Sequence, residues 1–68
     1  MDFKLKTEFI ELDNMLKALH FVSSGAEARQ CIQSGSVKVN GQVETRVRRK
    51  LLAGDSVEFG QERISIVA

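Results

Sequence analysis

The chain has 68 residues, ten of them Lys or Arg and nine Asp or Glu, giving a net charge of +1 with a single Cys and a single His. A chain of this length lies near the lower limit for folding without disulfides or metal, so its Leu, Ile, Val and Phe side chains are needed first for the core. One cysteine excludes an internal disulfide, one Cys with one His excludes a zinc site of the usual kind, and no apolar run approaches the ~20 residues of a membrane span.

The first segment, Phe3 to Ile10, alternates Phe3, Leu5, Thr7 and Phe9 with Lys4, Lys6 and Glu8, the two-residue period of a half-buried strand. Leu12, Met15, Leu16 and Leu19 then follow i, i+3, i+4, i+7 spacing, which predicts a helix from about Leu12 to His20. Ser24 and Glu27 have the spacing of a capping box, hydroxyl to the third amide and carboxylate back to the cap amide. They open a second helix over about Gly25 to Ser34, with Ala28, Cys31 and Ile32 as its apolar stripe and Gly35 placed to end it in a left-handed conformation.

After Gly35 the period becomes that of strands. Asn40-Gly41 between Val37-Lys38-Val39 and Gln42-Val43 predicts a hairpin with a type I′ turn. Ala53-Gly54-Asp55 predicts a turn into a strand from Ser56 to Phe59, and Gly60-Gln61 reverses the chain into a last strand from Arg63 to Val67. With no proline, repeat, linker or low-complexity stretch, the reading is a single α+β domain over residues 1–68, two helices packed on a small, mostly antiparallel, twisted sheet.

Charge is unevenly spread: net −1 over residues 1–22, +4 over 23–50 and −2 over 51–68. Such a distribution points to a local anionic partner rather than a generally sticky surface. Its centre is Arg46, Arg48, Arg49 and Lys50. If extended, this segment sends Arg46, Arg48 and Lys50 to one side and Val47 and Arg49 to the other, a ribbon able to follow a phosphate backbone through paired guanidinium hydrogen bonds. The start of the second helix is the other candidate, because free amides and the helix dipole favour a phosphate there and Ser24 and its small neighbours permit close approach. Arg29 and Gln33, one turn apart, face away from the apolar stripe.

The remaining reactive side chains have structural readings. His20 at a helix end is placed to interact with the last carbonyls, Cys31 is a buried thiol on an apolar stripe, Asp13 is a first-turn acid or cap, and Asp55 is a turn residue. No phosphate-cradling glycine loop, nucleophile elbow or convergent acid, base and nucleophile is present, so neither catalysis nor a metal or other cofactor is expected. Nothing reads as a secretory or lipidation signal, and a cytoplasmic location with no membrane partner and no small-molecule substrate is expected.

From Glu11 to Phe59 the order of elements and the string SSGAEARQCIQSGSVKVNGQVETRVRRKLLAGDSVEF resemble the alpha-L RNA-binding domain, named after small-subunit ribosomal protein S-four. The most specific matches are Glu27-Ala28-Arg29, Ile32, Gly35, Val37, Val39-Asn40-Gly41 and Gly54-Asp55, and the whole length, including the N-terminal strand and Glu44-Thr45-Arg46, looks closest to the small stand-alone bacterial members of the YbcJ/YaaA type. The resemblance implies an alpha-L motif fold and binding of structured RNA through Ser24, Arg29 and Gln33, with Lys38 as a further residue. Where many members have Arg-Leu-Asp at the first helix this chain has Glu11-Leu12-Asp13, and where many have Ser-Arg it has Ser24-Gly25. The electrostatic burden then shifts to Arg46, Arg48, Arg49 and Lys50. The expected partner is RNA, ribosomal RNA or a ribosomal particle above all, with ribosomal proteins as further partners; the alternative is an adaptor whose basic segment docks on an acidic protein surface.

Overall fold

The computed structural model describes residues Met1–Ala68. The first alternating segment is extended at both ends but is not one strand. Asp2–Lys4 forms β1, the chain bends over residues 6–8, and Ile10–Glu11 forms β2. The two halves join different sheets. β1 lies parallel to the last strand, with Phe3 opposite Ile66, whereas β2 pairs antiparallel with a short strand at Lys50–Leu51 (β5). Thr7 supports the bend, its hydroxyl donating to the Phe9 carbonyl at 2.9 Å. The bend carries the chain from the edge of the main sheet to the first helix, which is why the regular alternation of side chains does not mean regular pairing.

Helix α1 runs from Leu12 to Ala18 and buries Leu12, Met15 and Leu16. It stops before His20 because His20 takes a left-handed conformation (φ 61°). The His20 amide donates to the Lys17 carbonyl (3.0 Å) and the Phe21 amide to the Leu16 carbonyl (3.1 Å), the paired bonds of a Schellman cap. Satisfaction of the last carbonyls thus comes from the backbone amides of His20 and Phe21.

Helix α2, Gly25–Gln33, buries Ala28 and Ile32 and ends in the same way. Gly35 (φ 85°) donates to Ile32 and Ser36 to Cys31, both at 3.1 Å. Its start departs from the reciprocal box. Ser24 Oγ accepts from the Glu27 amide at 3.2 Å, but the Glu27 carboxylate passes Ser24 and takes the Ser23 amide (2.6 Å) and hydroxyl (3.2 Å).

Strands β3 (Val37–Val39), β4 (Gln42–Val43), β6 (Ser56–Phe59) and β7 (Glu62–Val67) complete a five-stranded mixed sheet in the order β1-β7-β6-β3-β4, antiparallel except at β1–β7. The β3–β4 hairpin turns on Asn40 (φ 52°) and Gly41 (φ 85°), the pair of left-handed residues of a type I′ turn. Val37, Val39, Val57, Ile64 and Ile66 from the sheet meet Leu12, Met15, Leu16, Ala28 and Ile32 from the helices in one buried cluster. Leu51 brings the small β2–β5 ribbon into the same cluster. No helix is long and apolar enough to cross a membrane.

Candidate nucleic-acid interface

The basic segment leaves the sheet at Glu44 and returns to pairing at Lys50, and between them it folds over the start of α1. Carbonyls of Val47 and Arg49 accept the amides of Asp13 (3.1 Å) and Leu12 (2.8 Å). They supply acceptors for the helix start where the N-cap residue Glu11 makes no side-chain capping bond. This docking, with Val47 packed against the core, is incompatible with a straight ribbon. The segment turns instead, the Arg49 amide reaching the Arg46 carbonyl at 3.3 Å, so a curved loop replaces the straight ribbon, yet Arg46, Arg48 and Lys50 remain the exposed residues and Val47 and Arg49 the half-buried ones.

Glu44 organises that loop. It is the only charged residue among the buried ones, 6% exposed. Its carboxylate accepts Arg46 Nε and Nη2, both at 3.0 Å, the Arg46 amide at 2.9 Å and Arg49 Nη1 at 2.7 Å. The Arg46 guanidinium is the largest influence holding the Glu44 carboxyl down; burial opposes it, Arg49 and the Arg46 amide add to it, and the net result is a pKa of about 2. The same contact raises Arg46 above its ordinary value. Four charge-assisted bonds thus offset the cost of burying a carboxylate.

The four cations consequently differ. Arg46 is paired yet its side chain is 72% exposed, so a bound oxyanion can still reach its outer edge; Arg49, at 28%, is more enclosed. Arg48 makes no ion pair with the protein and projects into solvent. Lys50 makes none either, and its ammonium stands 4.9 Å from the centroid of the Phe9 ring. Arg46, Arg48, Arg49 and Lys50 together line one open depression to which no apolar side chain contributes.

None of the other sequence-selected residues lines that depression. Ser24 is exposed at the start of α2, and the Glu27 carboxylate beside it already occupies part of the positive end that phosphate would use. A cation is present there too: a Cβ on Gly25 would lie 3.9 Å from Lys17 Nζ, which reaches across from α1. Arg29 and Gln33 are exposed on α2. Lys38 lies on the outer face of the sheet, opposite Glu58, which also accepts Arg63 at 3.4 Å.

Sequence reading passes over Glu44, Lys17 and Phe9. An acid two residues before an arginine run was the available signal for Glu44. Nothing in the pattern marks Lys17, because its role depends on how α1 and α2 meet. Phe9 reads as core on period alone, but it is 38% exposed at the end of the bend.

The S4 domain family model matches residues 3–67 of this chain, wider than the Glu11–Phe59 core that carries the motif. The Escherichia coli (strain K12) protein YbcJ is 43% identical over 63 residues, 93% of this chain and 90% of that protein. Its solution structure, described as revealing an alfaL motif involved in RNA binding, superposes with a TM-score of 0.73 over 98% of this chain and 86% of YbcJ. The small ribosomal subunit protein uS4m of Schizosaccharomyces pombe (strain 972) is 42% identical over 53 residues, 78% of this chain but 16% of the larger protein. With nearly the whole sequence matched, the fold shared and the alfaL architecture in place, the chain belongs to the S4 domain family.

Proposed function

We propose that this chain is an RNA-binding protein that grips the backbone of structured RNA, with ribosomal RNA as the target class. The observation that carries the reading is the depression in which Glu44 holds two guanidinium groups beside the unpaired Arg48 and Lys50. Guanidinium groups fixed in advance lose less freedom when they meet phosphate, so the clamp favours binding beyond its bare charge. The alfaL description of YbcJ supports RNA as the ligand, and the likeness to a small-subunit ribosomal protein supports a ribosomal target. Arg29, Gln33, Ser24 and Lys38 serve as outlying contacts for a ligand longer than the depression.

The loop's four cations and one carboxylate leave three positive charges for phosphate. This corresponds to a log-log salt slope of about −2 to −3, since each neutralised phosphate contributes about −0.7 in a single strand and about −0.9 in a duplex. Titrating labelled ribosomal RNA fragments across salt concentrations tests the reading. Binding that ignores salt, or that survives Arg46, Arg48, Arg49 and Lys50 changed to Glu, would sink it. Partners in a pull-down that persist after nuclease treatment would instead favour an acidic protein surface as the ligand.

A further inference from the structure

Beside the basic depression lies an apolar slot of about 230 Å³, walled by Phe3, Leu5, Phe9 and Ile10 with Lys6 and Thr7 at its polar side. Phe9 connects the two features: it lines the slot, and the ammonium of Lys50 from the depression stands over its ring. Their adjacency is built into the fold. Phe9 immediately precedes β2, and β2 pairs with β5, which begins at Lys50.

We propose that the slot receives an unpaired nucleobase from the same RNA whose phosphates lie on Arg46, Arg48, Arg49 and Lys50; the proposal rests on the RNA-binding reading. Three features select this occupant. The walls are apolar and include an accessible aromatic ring, which a base can stack on irrespective of its identity. The polar side offers complementary groups: the Lys6 ammonium donates, while the Thr7 oxygen, whose proton is committed to the Phe9 carbonyl, is left to accept. Two cations accompany the slot, Lys6 among its lining residues and Lys50 over the Phe9 ring, as suits a ligand that joins an apolar ring to an anionic backbone. Glu8, the acid on this segment, is exposed and is not part of the lining. A bulged or loop nucleotide satisfies all three features at once, whereas a fully paired helix has no base free to enter.

The probes are an RNA hairpin carrying one bulged adenosine, the same hairpin with an abasic residue at the bulge, and its fully paired counterpart. Wild-type protein is expected to prefer the bulged adenosine over both others by about five- to a hundred-fold, the range expected for one stacked base. Phe9→Ala should erase the preference for the bulged adenosine over the abasic bulge while the paired hairpin still binds in a salt-dependent way, and Phe9→Tyr should restore the preference. Ring resonances of Phe9 and methyl resonances of Ile10 and Leu5 in the wild-type protein should shift with the bulged hairpin and not with the abasic one, a readout independent of any variant's folding.

Salt-sensitive binding with equal affinity for the adenosine and abasic bulges would overturn the slot and leave the backbone grip standing. Equal affinity that survives Phe9→Ala, joined to capture of an apolar peptide by the slot, would assign it to protein rather than RNA. Failure of all three RNAs to bind would overturn the parent reading and the slot with it.

Discussion

The carboxylate of Glu44 and the guanidinium of Arg46 face each other through two parallel hydrogen bonds of 3.0 Å, with the acid buried and the base largely in solvent. This asymmetry lets one ion pair serve folding and binding together. The buried partner fixes a direction, and the exposed one keeps donors for a ligand.

Acid sensitivity follows from that pair. The Glu44 carboxyl titrates at about 2 in the folded protein instead of 4.5, so its contribution is fully present above pH 4.5 and is lost as the pH falls toward 2. The stabilisation is on the order of 1–3 kcal/mol, with the upper end reduced because water screens the exposed Arg46. Glu44→Gln should therefore lower stability at pH 7 and remove this part of the acid dependence. Urea unfolding of both proteins from neutral pH to about pH 3 checks it. A wild-type advantage that stays constant throughout that range would show that the charge of Glu44 does not contribute in this way.

The same variant separates positioning from charge. Glu44→Gln makes the loop more positive by one unit and loosens both arginines. If the arginines need to be held, RNA affinity should fall at moderate salt while the salt slope steepens by about 0.7. If only net charge mattered, affinity would rise. A salt series on the two proteins with one RNA fragment decides between these outcomes.

Arg48 and Arg49 should behave differently despite being neighbours. Arg48 is exposed and free of ion pairs, so Arg48→Ala should change stability by no more than about 0.5 kcal/mol. Arg49 is mostly covered and sits 2.7 Å from Glu44, so Arg49→Ala should cost about 1–2 kcal/mol. Both should weaken RNA binding. Thermal unfolding of the two variants would contradict the assignment if their midpoints fell equally.

Legibility in the sequence tracked how local the deciding interaction was. The β3–β4 hairpin was readable because Asn40 and Gly41 themselves hold the turn conformation. The second helix was readable through Ser24 and Gly35, which sit at its two ends. The first strand misled because the choice between one strand and two depends on whether β7 or β5 is the partner, and the nearer of these lies about forty residues away. The curved basic loop was hidden for the same reason: Val47 and Arg49 bend because α1 needs acceptors, and a short basic run carries no record of that demand. Glu44 stood in view as an acid beside four cations, yet its burial arises only once its amide joins Val37 and the loop closes above it.

The two helix ends offer a direct comparison of residue choice in one conformation. α1 and α2 finish in the same pair of backbone bonds, but the left-handed position is His20 (φ 61°) in the first and Gly35 (φ 85°) in the second. A residue with a Cβ is less comfortable there than glycine by about 1–2 kcal/mol, part of which glycine returns through the greater freedom of its unfolded chain. His20→Gly should accordingly stabilise the protein by about 0.5–1 kcal/mol. Gly35→Ala should destabilise it by about 1 kcal/mol, with the new methyl in ordinary contact 3.6 Å from Val43 Cγ1 and strain as the main cost. Paired urea titrations give both signs in one experiment. A loss of stability in His20→Gly would mean that the imidazole holds α1 in place through its own contacts, and that the left-handed backbone is kept for the side chain it presents.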